Sequence, residues 1–195
     1  MKDTKSTENL TRTALLVEAT NMLQTGSFGR LSFQLLAEKV GIKKGSVYYH
    51  FPSKDLLAIA ILDRAKEQLE DYFMLFENDK PTIQLNRYIQ IFSKHIQPMK
   101  KLCPGASFIT SWQHESPNVQ NAIYQLYQTH LKYLESVIHQ GKKLGVFKES
   151  LDDAILANVI FSLLQGALLS ARTCQSTVAI SACEAAISEL TELKV

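Results

Sequence analysis

The sequence predicts an all-α fold for its 195 residues. Apolar side chains recur at three- and four-residue spacing along most of the chain, which is the period of an amphipathic helix. The alternation of apolar and polar residues that marks a half-buried strand does not occur. Glycines and prolines interrupt the helical pattern at intervals that are typical of helix ends.

Three short helices are predicted at the start of the chain. The first covers about residues 11–25. Ser32 is suited to cap the second helix, 33–40, because its hydroxyl can accept a hydrogen bond from a free N–H of the first turn. Gly41 ends that helix, and the third helix covers about residues 43–50.

A long fourth helix follows the cap residue Ser53 and covers about residues 54–77. A helix of that length could join two domains. We expect the domains to comprise residues 1–53 and 54–195. The remaining predicted helices cover about 81–97, 107–114, 117–143, 152–171 and 178–193.

The excess of positive charge is confined to the first quarter of the chain. Residues 1–55 contain eight Lys and Arg against five Asp and Glu, whereas the net charge of the whole chain is only +2. This asymmetry indicates an anionic partner for the N-terminal region.

Cysteine usage and hydropathy indicate a cytoplasmic protein with no membrane association. Cys103, Cys174 and Cys183 have no CxxC spacing and leave one thiol without a disulfide partner, which fits a reducing compartment. The N-terminus lacks the apolar stretch of a signal peptide. The longest apolar run, from Ala154 to Ala171, is interrupted by polar residues.

Three residues at fixed spacing indicate a helix-turn-helix. Two helices that cross at a steep angle need a small side chain where the backbones touch, and Ala37 provides it. The turn needs a residue that tolerates positive φ, which Gly41 supplies. Val47 supplies an apolar anchor on the second helix. In a helix-turn-helix the start of the second helix enters the major groove of DNA.

The residues after the turn suit contact with a duplex. Lys43, Lys44 and Ser46 can meet phosphates, which dominate affinity for DNA. Gly45 allows the helix backbone to approach base edges closely. Lysines and tyrosines on a short helix are often merely solvated, and only the joint pattern with the buried positions favours DNA contact.

The segment "GSFGRLSFQLLAEKVGIKKGSVYYHFPSKDLL" resembles the N-terminal domain of the TetR family of one-component transcriptional repressors. The resemblance covers roughly residues 10–62 and includes the Gly-aromatic pair, the Ala-x-x-x-Gly-Val turn, the Tyr-x-His-Phe type of recognition helix and the Ser-Lys-acidic cap. The resemblance implies double-stranded operator DNA as a partner and close approach at Gly45. It implies DNA contacts at Ser32, Lys44, Ser46, Tyr48, Tyr49, His50 and Lys54.

Lys43 departs from the family pattern. The family often has serine or alanine at this position, and a lysine at a helix N-terminus opposes the helix dipole. We hypothesise that a DNA phosphate beside Lys43 offsets this unfavourable charge, and we include Lys43 among the DNA-contact residues.

The resemblance implies that the C-terminal region binds a small-molecule effector. Aromatic and soft side chains recur along its predicted helices, although any one of them could equally belong to an ordinary core. The candidate pocket residues are Phe76, Tyr88, Phe92, Met99, Phe108, Trp112, Tyr124 and Tyr127.

The resemblance also implies a homodimer formed by the last two helices, which are rich in small and aliphatic residues. An intrachain core helix is the alternative reading. The candidate interface residues are Phe161, Leu164, Leu168, Ala171, Ala182 and Ala186.

These features together favour a homodimeric repressor that a small hydrophobic ligand releases from a palindromic operator. We expect no enzyme activity, no cofactor and no metal. A small helical enzyme or a metal site would have to use His95, Cys103 and His114, which lack the spacing of known motifs. Cys103 could be a reactive thiol at a helix start or a small buried residue. A DNA-binding activator or an architectural protein without a ligand is a third reading.

Overall fold

The computed structural model describes residues 2–26, 29, 31–96, 102–109, 111–149 and 151–191, with side chains described outside 2–7 and 94–96. It confirms the all-α fold, with an N-terminal helix-turn-helix domain followed by an all-helical region. The helices are α1 Lys2–Thr25, α2 Phe33–Val40, α3 Lys44–His50, α4 Lys54–Met74, α5 Pro81–Ile96, α6 Pro104–Ile109, α7 Pro117–Lys143, α8 Asp153–Cys174 and α9 Val178–Thr191.

The predicted helix bounds are confirmed where the sequence carries an end signal. The helices α2 and α7 match the prediction, and α3 begins one residue later. The prediction was wrong at the start of α1, which begins at Lys2. It was also wrong for 107–114, where α6 ends at Ile109 and a separate 3-10 turn covers Trp112–His114.

The packing of the helices divides the chain into two units. The first comprises residues 1–66 and 103–126, and the second comprises 67–102 and 127–195. The helices α4 and α7 each contribute residues to both units. This division reflects packing, and the functional boundary between residues 53 and 54 stays a prediction.

The first unit is built around α1, which packs on α2 and on α6, while α2 packs on α3. Its core consists of side chains that are at most 2% exposed. They include Leu15, Ala19, Leu23, Leu36, Val47, Phe51, Leu57 and Ile61. Burial of these apolar side chains provides the main stabilisation of the unit.

The second unit packs α8 on α5 and on α9. Aromatic rings fill its core. The rings of Phe73 and Tyr133 stack with centroids 3.6 Å apart, and the ring centroids of Tyr88 and Phe92 lie 5.5 Å apart. Burial, with smaller contributions from Tyr72 and Asp79, raises the pKa of Tyr133 to about 12.

The end of α7 is held by a glycine and by an ion pair. A methyl group at Gly141 would lie 2.0 Å from a ring carbon of the buried Phe147, so only glycine lets that ring pack against the helix. Lys142 Nζ donates to Asp153 Oδ1 at 2.6 Å, and this hydrogen bond lowers the pKa of the Asp153 carboxyl. These contacts fix the corner between α7 and α8.

Candidate nucleic-acid interface

The turn between α2 and α3 has the geometry that the sequence predicts. Gly41 has φ 75°, in the left-handed region that glycine adopts without a steric cost. The N–H of Ile42 donates to the carbonyl of Ala37 at 3.0 Å, and the N–H of Gly41 donates to that of Glu38 at 3.3 Å. These bonds satisfy carbonyls at the end of α2 and redirect the chain into α3.

Buried side chains hold α3 against the rest of its unit. Val47 is fully buried and Phe51 is 2% exposed. The ring of Tyr48 meets that of Phe33 edge-on, with centroids 4.9 Å apart. The guanidinium of Arg12 lies 5.1 Å from the centre of the Phe51 ring. The face of α3 that is turned inward is therefore fixed.

None of the residues that the sequence predicts for DNA contact is buried within the chain. Ser46 and His50 are half-buried, and the others are exposed. The set consists of Ser32, Lys43, Lys44, Gly45, Ser46, Tyr48, Tyr49, His50 and Lys54. A methyl group at Gly45 would meet no atom within 4 Å, so close packing within the chain does not explain this glycine.

The exposed tyrosines are positioned by neighbouring side chains. Tyr48 is 48% exposed, and the Nζ of Lys44 lies 5.9 Å from its ring centre. Tyr49 is 70% exposed, and its hydroxyl donates to Glu8 Oε1 at 2.7 Å. The hydrogen bond with Glu8, with the carboxylate's charge, raises the pKa of Tyr49.

Serine hydroxyls cap the N-termini of the neighbouring helices α2 and α4. The Oγ of Ser32 accepts from the N–H of Leu35 at 3.1 Å, and the Oγ of Ser53 accepts from that of Leu56 at 3.2 Å. Each serine hydroxyl keeps its own hydrogen, which it can donate to a phosphate. Lys54 stands at the start of α4, where the helix dipole also attracts anions.

Lys43 is the N-cap of α3 and makes no side-chain capping hydrogen bond. The N–H groups in the first turn of this seven-residue helix therefore lack the side-chain acceptor that serine supplies to α2 and α4. The N–H of Ser46 donates to the carbonyl of Lys43 at 2.9 Å, and an anion at this end of α3 would accept from the other N–H groups of the first turn.

Two family models cover most of the chain. Residues 15–70 match bacterial regulatory proteins of the tetR family, and residues 81–187 match the tetracyclin repressor-like C-terminal domain. The second match alone spans more than half of the chain. The chain belongs to the TetR family of DNA-binding transcriptional regulators.

Solved structures have the same fold as this TetR-family protein. A TetR-family regulator from Agrobacterium tumefaciens superposes with a TM-score of 0.87 at 20% identity, covering 94% of this chain and 99% of its own. A TetR regulator from Legionella pneumophila gives 0.83 at 23% identity, covering 92% and 96%.

Curated relatives include proteins named nucleoid occlusion factor SlmA. That of Shewanella sediminis is 27% identical over 152 residues, and that of Shewanella woodyi is 27% identical over 155 residues. Each alignment covers 74% of this chain and 74% of the relative.

The candidate pocket residues are divided between the two units, and in the second unit the rings of Tyr88 and Phe92 lie with centroids 5.5 Å apart. Phe108, Trp112 and Tyr124 belong to the first unit, in which Phe108 is buried while the other two are 39% and 52% exposed. Met99 lies outside the described residues. The other four, Phe76, Tyr88, Phe92 and Tyr127, belong to the second unit.

A buried histidine that sequence reasoning missed lies among the aromatic residues of the second unit. His130 is 5% exposed, and its Nδ1 is hydrogen-bonded to the hydroxyl of Tyr88 at 2.9 Å. The rings of Phe92 and Phe161 lie 6.1 and 5.0 Å from its centroid. The sequence signal that could have predicted this burial is the position of His130 in the middle of α7, on its apolar face.

Four of the six candidate dimer residues point into the subunit's own core. Phe161, Leu164, Leu168 and Ala171 are at most 9% exposed within one chain, because this side of α8 packs on α5 and α9. Within one subunit these four side chains therefore belong to the core, and their assignment to a dimer interface stays a prediction. Ala182 is exposed and Ala186 half-buried.

The exposed side of α8 and α9 forms an apolar groove of about 740 Å³. Small and aliphatic side chains line most of it, including Val159, Leu163, Gly166, Ala182 and Ala186. By length and composition α8 could also span a membrane, and 39% of its most apolar window is buried inside the subunit. Core helices meet the same criterion.

The residues suggested for an enzyme or metal site differ in their exposure. Cys103 is half-buried and His114 is exposed, while the side chain of His95 lies outside the described residues. Within that part of the chain, no three His, Cys, Asp or Glu side chains form a group able to hold a metal ion.

Replacing Lys43 with serine tests whether Lys43 contacts a DNA phosphate. Lys43→Ser should raise the free energy of unfolding of the DNA-free protein by about 1 kcal/mol, because serine caps α3 and removes a charge that opposes the dipole. It should weaken DNA binding and reduce the slope of log K against log salt by about 0.9. Urea unfolding and fluorescence anisotropy with duplex DNA measure the two effects. Unchanged DNA affinity at every salt concentration would exclude a phosphate contact.

Proposed function

We propose that this TetR-family protein is a cytoplasmic homodimeric repressor that binds a palindromic operator and is released by a small hydrophobic effector. The observation that carries the proposal is the contrast between the buried side chains of Val47 in α3 and Phe51 just after it, and the exposed cations, hydroxyls and rings of the same segment. Within the family, DNA binding is the regulatory activity, which argues against an enzyme.

The proposed contacts divide into two kinds. Lys43, Lys44 and Lys54 meet phosphates, which position the domain without reading sequence. Gly45 lets the backbone of α3 approach base edges, where Ser46 and the tyrosine rings read the major groove. The side chains of Ser32 and His50 flank this surface.

Replacing Lys44 or Lys54, two of the lysines proposed to bind phosphates, with alanine tests the proposed DNA-binding surface. Lys44→Ala and Lys54→Ala should each weaken DNA binding and lower the slope of log K against log salt by about 0.9, because one phosphate contact is lost. Anisotropy titrations between low and physiological salt measure the slopes. Lys132→Ala, which removes an exposed lysine of α7, is the matched control and should change neither quantity.

If both slopes stay unchanged while the control behaves as expected, the DNA-binding surface lies elsewhere. Circular dichroism distinguishes this outcome from unfolding. Because all three lysines are exposed, the variants should retain the helical signal of the unmodified protein.

We further propose that the groove between α8 and α9 forms the dimer interface. A palindromic operator has two-fold symmetry, so the protein that binds it must be a two-fold symmetric dimer. In such a dimer the same surface patch of each subunit forms the interface. Small residues such as Gly166, Ala182 and Ala186 allow helices of two subunits to approach closely. Leu169 of α8 does not line the groove, but it is an apolar side chain that is 55% exposed.

A glutamate in the groove should separate the subunits. Ala182→Glu places an unpaired charge where we expect an apolar contact, so it should convert the dimer to a monomer at micromolar concentration. Analytical ultracentrifugation gives the mass. Ala14→Glu makes the same change at an exposed position of α1 and should leave the dimer intact. A dimer that persists in Ala182→Glu, or a monomeric unmodified protein, contradicts the proposal.

We propose that the region from residue 54 onward holds the effector site. The match to the tetracyclin repressor-like C-terminal domain supports this assignment. Tyr88 and His130 supply a hydrogen-bonded pair among apolar rings, which suits recognition of an aromatic ligand with one polar group. Because α4 contributes to both units, movement of its C-terminal part can be transmitted to Lys54.

Effector and DNA must then weaken each other's binding by the same factor. Aromatic compounds that raise the melting temperature of the DNA-free protein should weaken DNA binding by about 5- to 150-fold, the usual range of allosteric coupling. Thermal shift measurements with and without DNA provide the comparison. A compound that stabilises both states equally is not an effector. If every stabilising compound behaves so, the protein is not ligand-released.

The relatives named nucleoid occlusion factor favour a second candidate function on the same surface, in which DNA binding does not control transcription. Transcript levels beside the bound chromosomal sites separate the two functions. They should rise in a deletion strain if the protein is a repressor, and they should not change if it acts in nucleoid occlusion.

A further inference from the structure

A carboxylate lies on the surface that we assign to DNA. Glu8, in the second turn of α1, accepts a hydrogen bond from the hydroxyl of Tyr49 at 2.7 Å. Both side chains are exposed, so this contact forms at the surface. A negative charge there is unfavourable beside phosphates, and the proposed function does not account for it.

The contact is part of how α1 meets the end of α3. Glu8 and Arg12 are four residues apart, so they occupy the same face of α1. Arg12 lies over the ring of Phe51, at 5.1 Å, and Glu8 reaches Tyr49. Two neighbouring positions of α1 thus contact two residues at the end of the recognition helix, which fixes the distance between Glu8 and Tyr49.

The hydrogen bond to Glu8 determines which groups of Tyr49 can contact a DNA duplex. A phenol has one hydrogen to donate, and a phosphate oxygen can only accept. While the hydroxyl donates to Glu8, it is withheld from phosphates. The ring remains 70% exposed, and its other neighbour is the ring of His50, whose centroid lies 5.2 Å away. An apolar ring edge can still contact a thymine methyl group.

We propose that Glu8 is a specificity-determining residue for DNA binding: it occupies the Tyr49 hydroxyl and repels phosphates, so that Tyr49 contributes to base contacts and not to sequence-independent binding. The proposal rests on the DNA-binding surface assigned above. It names a function for α1 that is separate from supporting the helix-turn-helix. Non-specific binding depends almost entirely on phosphates, and Glu8 therefore weakens it more than it weakens operator binding.

The experiment compares two DNA probes. One is poly(dI-dC), as non-specific DNA, and the other is a duplex that the unmodified protein enriches from a random-sequence library. Glu8→Ala should raise affinity for poly(dI-dC) about two- to fivefold, the range expected when one exposed charge interaction is removed. Affinity for the enriched duplex should rise less, so the ratio of specific to non-specific affinity should fall.

The Tyr49 hydroxyl supplies the second comparison. In the unmodified protein Tyr49→Phe should scarcely change affinity for poly(dI-dC), because the hydroxyl is engaged by Glu8. In the Glu8→Ala background the same change should reverse much of the gain, because the freed hydroxyl then binds phosphate. Glu8→Gln keeps an acceptor for the hydroxyl and removes the charge, so it should raise affinity for poly(dI-dC) less than Glu8→Ala does and lower the ratio of specific to non-specific affinity by a smaller factor.

Glu18→Ala is the matched control. It removes the same charge from the same helix about 15 Å further along its axis, where Glu18 lies 3.5 Å from Lys39. An equal gain in this control would show a long-range charge effect and overturn the proposal. The proposal is also overturned if Glu8→Ala binds poly(dI-dC) no more tightly than the unmodified protein while Lys44→Ala binds it more weakly. If Lys44→Ala and Lys54→Ala also have no effect, the assigned surface and the role of Glu8 both fail.

Discussion

The left-handed turn at Gly41 is the constraint on which the proposed DNA-binding surface depends. Its φ of 75° lets the carbonyl of Ala37 accept from the N–H of Ile42, so α2 ends and α3 begins within three residues. Any residue with a Cβ would be strained there. The turn sets the crossing of the two helices, and that crossing buries Val47 while leaving Lys44, Ser46 and Tyr49 accessible.

The first unit could be predicted in detail because its signals are local. Ser32, Gly41 and Ser53 are residues whose conformation or capping is decided by neighbours three or four positions away. The start of α1 carried no such signal, because residues 2–9 are all polar and form no apolar stripe in the sequence. The contact between Glu8 and Tyr49 joins residues 41 positions apart, and no local pattern could indicate it.

Prediction was weaker for the second unit because its helices are apolar on more than one side. Phe161, Leu164, Leu168 and Ala171 follow helical spacing, so the sequence correctly grouped them on one face of α8. Spacing alone does not say whether such a face turns to the core or to a partner, since both environments are apolar. Small residues on the other side, among them Gly166, were the better indicator of an exposed groove. The buried pair Tyr88 and His130 was missed for a similar reason: a polar group becomes compatible with a core only through a partner 42 residues away.

Because the proposed recognition helix is short, the proposed dimer surface and the balance of charge beside α3 both affect selectivity for DNA sequence. A seven-residue helix can touch only a few base pairs, so one subunit alone has little sequence information to read. A two-fold dimer multiplies that information, because the second subunit binds as an intramolecular event at high effective concentration. Every phosphate contact is multiplied in the same way, and it raises affinity for all sequences alike. A regulator with a small reading surface therefore gains selectivity from limiting its phosphate contacts as well as from adding base contacts, and a carboxylate at the edge of α3 is a physical means of doing so.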